Sequence, residues 1–190
     1  MARIPIFQDS IILDYLIDTE LDKTIYKVLK NEMKKNKGNF FSNKGGYQTV
    51  LINNDKICNT ILNKSVQMIV QNYKISNLNF SMNALWINQN NKGNYNFPHI
   101  HPLSVFAGVY YLDVANTGGD LIFFRGDRSN QMLDINKYII DEDFNAEYHF
   151  RPLKNQIILF PSNLIHMVSA HFEDKPRISI SFNILIGKNG

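Results

Sequence analysis

The chain has a single cysteine, Cys58, among its 190 residues. A disulfide framework within the chain is therefore excluded. Set beside Ile57 and one turn before Ile61 and Leu62, Cys58 reads as a buried structural thiol. Long apolar runs are also missing. The longest, Val105 to Leu112, falls far short of the roughly 20 residues that a membrane helix needs, and the opening MARIPIFQDS has no apolar signal core. These absences predict a soluble, cytoplasmic protein with no membrane partner. A dense basic stripe is lacking as well. Net charge is +3, and the lysines between Lys23 and Lys37 are interleaved with acids, which marks a solvated face rather than a nucleic-acid footprint. There is no internal repeat, low-complexity tract or linker. One domain over 1–190 is expected, long enough to bury a sizeable core; a homodimer is compatible with such a chain.

Two kinds of periodicity divide it. Leu21, Ile25, Leu29 and Met33 recur every fourth residue, which predicts a helix over Glu20–Lys35 with Thr19 as its cap, Asp22 three residues on, and Gly38 at its end. A second helix is expected after Asn54 or Asp55, with a stripe of Ile57, Ile61, Leu62, Val66, Ile69 and Tyr73. Ile4 to Leu16 reads as an edge strand running into a turn. Between the helices, FFSNKGGYQT places Gly45 next to Gly46, a sign of a turn or a close backbone approach. From about Asn79 the pattern becomes strand-like: NFSMNALWIN, SVFAGVYYL, DLIFF, AEYHF, NQIILF and RISISFNIL, separated by turn residues. Helices followed by a run of strands predict a β-sandwich or barrel with helices packed outside, the helical part covering about 1–78 and the strand core about 79–187.

Histidine is scarce, with five in the chain, yet two of them stand two residues apart in NFPHIHPLSVFAGVYYLD. In extended backbone, residues i and i+2 point to one side, so His99 and His101 present two imidazoles suited to one metal ion. Alone, such a pair is equally consistent with surface histidines beside a loop. His166 follows another apolar strand and a proline-marked turn in QIILFPSNLIHMVSA. A pair before one strand and a single histidine after another can meet at the mouth of a small barrel. Asp113 and Asp120 are alternative carboxylate ligands. His149 and His171 read as surface positions or as supports to a ligand. Gly118 and Gly119 lack the rest of a phosphate-binding glycine pattern and read as a turn between barrel strands.

The order and spacing of these pieces resemble the non-haem Fe(II), 2-oxoglutarate-dependent oxygenases, in particular a subgroup of small members. The resemblance rests on Asn88, on His99, His101, Pro102 and Ser104, on GVYYL at 108–112, GGDLIFF at 118–124, FPSNLIHMV at 160–168 and RISISFN at 177–183, with SNKGGYQT at 42–49 upstream. It covers roughly residues 40–184. It implies a double-stranded β-helix (a jelly roll, cupin-like) with two N-terminal helices braced on one sheet. It also implies an enzyme that uses Fe(II), 2-oxoglutarate and O2 to hydroxylate a substrate and releases succinate and CO2. The implied metal ligands are His99, His101 and His166. His101 stands where the wider superfamily has a carboxylate, which leaves a ferrous site more positive by one charge. Arg177 is implied to hold the distal carboxylate of 2-oxoglutarate, through a guanidinium fork suited to bidentate pairing. Ser179, on the same strand face, and Tyr111 join it; Asn88 and Asn183 face the same cavity. Arg128 is a candidate for substrate contact or for closing a lid. A cupin-like metal oxygenase or isomerase without 2-oxoglutarate, and a non-catalytic ligand-binding jelly roll, are the competing readings. No motif identifies the prime substrate.

Overall fold

A computed structural model describes residues 9–75, 77–126 and 145–188. Helix α1 (Thr19–Lys35) starts one residue earlier than the apolar stripe suggested. Its cap is Asp18, not Thr19: the Asp18 carboxylate accepts from the backbone N–H of both Glu20 and Leu21 at 2.9 Å. A carboxylate can take two of the orphan N–H groups and opposes the helix dipole, which a threonine hydroxyl does less well. The helix stops at Lys35, ahead of Gly38, because Asn36 turns extended. Helix α2 (Asp55–Asn72) is capped by Asn54, which accepts from Ile57 N–H at 3.1 Å. Its buried stripe is Ile57, Ile61, Ser65, Met68 and Ile69, so the inward face is rotated from the expected one and Tyr73 lies just past the end.

Among the described residues, eleven strands form two antiparallel sheets. The larger has the order β1 (Ile12–Tyr15), β9 (Gln156–Pro161), β6 (Phe106–Asp113), β11 (Arg177–Lys188), β4 (Leu78–Asn90) and β3 (Tyr47–Gln48). The smaller has the order β2 (Asn43–Lys44), β5 (Tyr95–His99), β10 (His166–Val168), β7 (Leu121–Phe124) and β8 (Glu147–Phe150). This is the double-stranded β-helix with two helices packed on one sheet. As expected, β1 is an edge strand. The hairpin of β2 and β3 straddles both sheets, since β2 pairs with β5 and β3 with β4. Its turn needs both glycines. Gly45 has φ +78, and a Cβ on Gly46 would lie 2.6 Å from Asn43 Oδ1 and 2.8 Å from Gln89 O.

Alternation on the central strands divides two cores. Tyr110 and Leu112 of β6, with Ile178, Ile180 and Phe182 of β11, face Leu21, Ile25, Leu29, Ile57, Ile61 and Ile69 of the helices. Ala107, Val109 and Tyr111 face the other way, against Leu121, Phe123 and Phe160 between the sheets. Each fully buried leucine or isoleucine contributes about 1.5–3 kcal/mol. Polar ties fix the helix on the sheet: Tyr110 donates to Asp22 at 2.7 Å, and Tyr26 donates to Asp113, which also pairs with Lys175 at 2.9 Å. Cys58 is half-buried against this helical core, and its Sγ lies 3.6 Å from Ile52 O. No helix among the described residues is long and apolar enough to cross a membrane.

Candidate active site

His99 closes β5, and His166 opens β10 directly opposite it in the antiparallel ladder. His101 lies in the loop beyond β5, where its backbone N–H donates to Ser162 O at 2.8 Å. The expectation that an extended pair faces one way is met only in outcome, since the backbone leaves the strand between the two histidines. One ring nitrogen from each of His99, His101 and His166 lies within 4.8 Å of the others. The Nε2 atoms of His101 and His166 are 3.2 Å apart.

The local hydrogen bonds aim these rings. His99 Nδ1 lies 2.6 Å from Phe97 O and His166 Nδ1 lies 2.8 Å from Leu164 O. A carbonyl only accepts, so each Nδ1 carries the proton and each Nε2 keeps its lone pair. Burial pushes all three histidines below their ordinary range, His101 to about 4 and His166 to about 3, with the neighbouring His99 adding to both shifts. Three converging imidazoles, two of them held with Nε2 turned free, fit a divalent transition metal. Asp113 and Asp120 do not join them. Asp113 is committed to Tyr26 and Lys175, and Asp120 to Arg151 in a two-nitrogen pair.

Arg177 begins β11, with Ser179 opposite Asn88 on one side and Tyr111 on the other. It is 2% exposed, and no carboxylate pairs with it among the described residues. Its Nη1 donates to Ser179 Oγ at 3.1 Å, its guanidinium lies 5.2 Å from the Tyr111 ring centre, and its Nε has no partner. Burial lowers the Arg177 pKa, and it pushes the Tyr111 hydroxyl up to about 12 against the pull of the guanidinium. The Tyr111 hydroxyl is itself buried and unpartnered. A buried cation beside an idle hydroxyl donor is what a carboxylate requires, so the donor set fits a dicarboxylate. Asn88 donates to Ser181 Oγ at 3.0 Å and leaves Oδ1 free, an acceptor that suits water or a substrate donor. Asn183 is buried with a free Oδ1 but does not line the cavity that holds Arg177.

That cavity contains the three histidines, Asn88, Arg177, Ser179 and Ser181 in a chamber of about 30 Å3. It shares Ser42, Trp86, His99 and His101 with an open pocket of about 370 Å3. A larger cavity, about 520 Å3, lies by Ile11, Phe123 and Tyr148 and includes none of these groups, so size does not mark the chemical centre here. His149 is exposed and 2.8 Å from Glu147, whereas His171 is wholly buried, its Nε2 donating to Lys175 O at 2.7 Å. Arg128 lies outside the described residues.

Three contributors escaped the sequence reading. Trp86 was within reach, because alternation along β4 puts it on the face of Asn88; its ring centre is 5.7 Å from that of His101. Asn96 carries no local signal. Gly119, read only as a turn, has φ +71, and a Cβ there would meet Arg177 Cδ at 2.8 Å. Its missing side chain is the space in which Arg177 lies.

Comparison with known proteins agrees with this arrangement. The family model described as "Putative 2OG-Fe(II) oxygenase" matches residues 84–183. No curated protein matches the sequence. Among solved structures, a prolyl-4-hydroxylase of Pseudomonas putida superposes with a TM-score of 0.62 at 15% identity, over 96% of this chain and 94% of that one. SnoN, an alpha-ketoglutarate-dependent epimerase from nogalamycin biosynthesis, gives 0.66 at 11% identity, over 96% and 82%. HygX from Streptomyces hygroscopicus, with nickel and 2-oxoglutarate bound, gives 0.59 at 9% identity, over 93% and 82%. At such identities the structures speak for the fold, and the family model, which spans more than half of the chain, speaks for the chemistry. The chain belongs to the 2OG-Fe(II) oxygenases, with Fe(II) and 2-oxoglutarate as its cofactors.

Proposed function

We propose that His99, His101 and His166 hold one Fe(II), that Arg177 with Ser179 and Tyr111 takes the distal carboxylate of 2-oxoglutarate, and that the reaction is a hydroxylation. In that reaction one atom of O2 enters the substrate and the other enters succinate, with loss of CO2. The observation that carries the assignment is the pairing, within one chamber, of a buried guanidinium that no carboxylate pairs with among the described residues and three imidazoles that converge.

When bound, the metal supplies the redox activation of dioxygen and a fixed place for the keto acid. The chain's own residues bind, orient and exclude water. Nδ1–H bonds to Phe97 O and Leu164 O hold two of the rings so that little ordering remains when a metal arrives. Arg177 neutralises a carboxylate at a depth where water cannot, and the Tyr111 hydroxyl gives it a second donor. Asn88 Oδ1 accepts from a water or a substrate donor beside the centre. Two helices sharing a core with the larger sheet support the whole chain, 1–190, acting as one oxygenase domain, and a lone free cysteine suits a cytoplasmic setting.

The test is anaerobic metal and 2-oxoglutarate binding, followed by succinate formation after oxygen is admitted. Alanine at any of the three histidines should sharply weaken iron binding and stop turnover. Aspartate at position 101 should still bind iron. Unchanged iron stoichiometry and turnover in the His101→Ala protein would remove that residue from the ligand set. Iron binding without any 2-oxoglutarate binding would favour the cupin-like chemistry instead.

A further inference from the structure

Resting on the assignment of His99, His101 and His166 as the reacting centre, we infer that the prime substrate is a polypeptide segment that presents an uncharged, apolar residue to the pocket between Phe41, Gln48, Leu51 and Trp86. This pocket, about 370 Å3, has His99 and His101 in its wall, so whatever fills it lies against the centre. Among the described residues, no Asp, Glu, Lys or Arg lines it. An ionised group entering it would shed its hydration and find no counter-charge.

Gln48 narrows the chemistry. It is 6% exposed and stands opposite Asn88 in the β3–β4 ladder, so its side chain points toward the same interior. Its backbone carbonyl accepts from Asn39, but its side-chain amide makes no hydrogen bond among the described residues, although it lines the pocket. Its amide atoms are not sealed from the pocket, so they are available to a ligand there. The amide offers one donor and one acceptor side by side, which matches the C=O and N–H of a single residue in an extended chain, since these two point to one side.

Two further features favour a polypeptide over a compact molecule. The rim extends beyond the pocket as exposed apolar surface: Phe40 is 68% exposed, Phe41 80% and Leu51 65%. Apolar surface continuous around a polar-pointed cleft is typical of a protein-binding face. The strand next to Ser42 of the pocket wall, β2, is the last of its sheet, and so gives an extended chain an edge to lie along. A planar base could also use an amide and an aromatic ring, but among the described residues no lysine or arginine lines the pocket to take its phosphate.

Trp86 is the chain's only tryptophan and stands in the pocket wall, so its fluorescence reports occupancy. The protein, loaded with ferrous iron and 2-oxoglutarate without oxygen, is titrated with capped tripeptides whose central residue is leucine, proline, aspartate or lysine. Isoamyl alcohol and a nucleoside monophosphate are titrated in parallel. Expected are saturable responses to the leucine or proline peptide, and at least roughly tenfold weaker ones to the charged peptides. Gln48→Leu and Phe41→Ala should each weaken the apolar peptide roughly tenfold, with 2-oxoglutarate affinity by calorimetry unchanged. The inference is overturned if no peptide gives a saturable response, if charged peptides bind as well, if the alcohol or the nucleotide matches the leucine peptide, or if both variants bind it as wild type does. A wild-type protein that fails to bind 2-oxoglutarate would instead overturn the reading of the centre itself.

Discussion

Replacing Arg177 with methionine separates what this residue does for binding from what it does for folding. The guanidinium is 2% exposed; its contacts are one hydrogen bond of 3.1 Å to Ser179 and the face of Tyr111 at 5.2 Å. Removing a charge from such a place relieves a desolvation penalty of several kcal/mol. Against that, the protein loses a cation–π contact of up to about 2 kcal/mol and a charged hydrogen bond of about 1.5–3 kcal/mol. These nearly cancel, so the metal-free, co-substrate-free variant should unfold in urea within about 1 kcal/mol of wild type. Binding is different, because among the described residues no second cationic side chain lines the chamber to take the distal carboxylate proposed for Arg177. Loss of one charge-assisted bond costs about 1.5–3 kcal/mol, or roughly 10- to 150-fold in affinity. Anaerobic calorimetry with ferrous iron present measures it. Lysine at this position should recover only part, since an ammonium lacks the planar fork. Wild-type affinity in the methionine variant would show that the carboxylate is held elsewhere. A stability loss well above 3 kcal/mol would show that Arg177 braces the fold rather than waits for an anion.

Gly119→Ala should leave iron stoichiometry unchanged yet weaken 2-oxoglutarate roughly tenfold or more, because a Cβ 2.8 Å from Arg177 Cδ displaces the guanidinium; equal affinity would mean that Arg177 has slack. Tyr110→Phe removes the bond to Asp22 and should cost about 1.5–3 kcal/mol in denaturant unfolding, while turnover at saturating co-substrate stays near wild type, since Tyr110 faces the helices. Cys58→Ala should cost about 1 kcal/mol and retain iron; iron loss, or rapid alkylation of Cys58 in the folded protein, would contradict a structural role.

The helices and long strands were legible because each carries a period that one burial direction imposes. Leu21, Ile25 and Leu29 recur at helical spacing and are buried; Arg177, Ser179 and Ser181 alternate and line one chamber. The three histidines were legible as residues but not as geometry. Their meeting depends on the register that sets His166 opposite His99, and register is a property of two strands that no single segment displays. The two-residue strands β2 and β3 are too short for any period, so the inward turn of Gln48 had no signature. Gly119 shows a further limit. A glycine that makes room for a distant side chain looks the same in sequence as a glycine that merely turns the chain. The cap was misplaced by one residue because Asp18 and Thr19 are both good caps, and only the final dihedral angles distinguish them.

The lengths of the strands divide the reacting centre between unequal partners. Arg177, Ser179 and Asn88 stand on β11 and β4, which have 12 and 13 residues and pair along almost their full length. His99 and His166 stand on strands of 5 and 3 residues in the smaller sheet. Opening a short, thinly paired strand takes less free energy than opening the centre of a long ladder. In the metal-free protein, amide hydrogens of β5 and β10 should therefore exchange through local opening long before those of β11, which wait for global unfolding. An ion held by His99 and His166 ties the two weaker strands together, so its arrival should slow their exchange most and leave the long pair almost untouched. On the proposed assignment the co-substrate's anchor is set when the chain folds, and the metal, meeting rings already aimed, adds the tie between β5 and β10 that local opening would otherwise break.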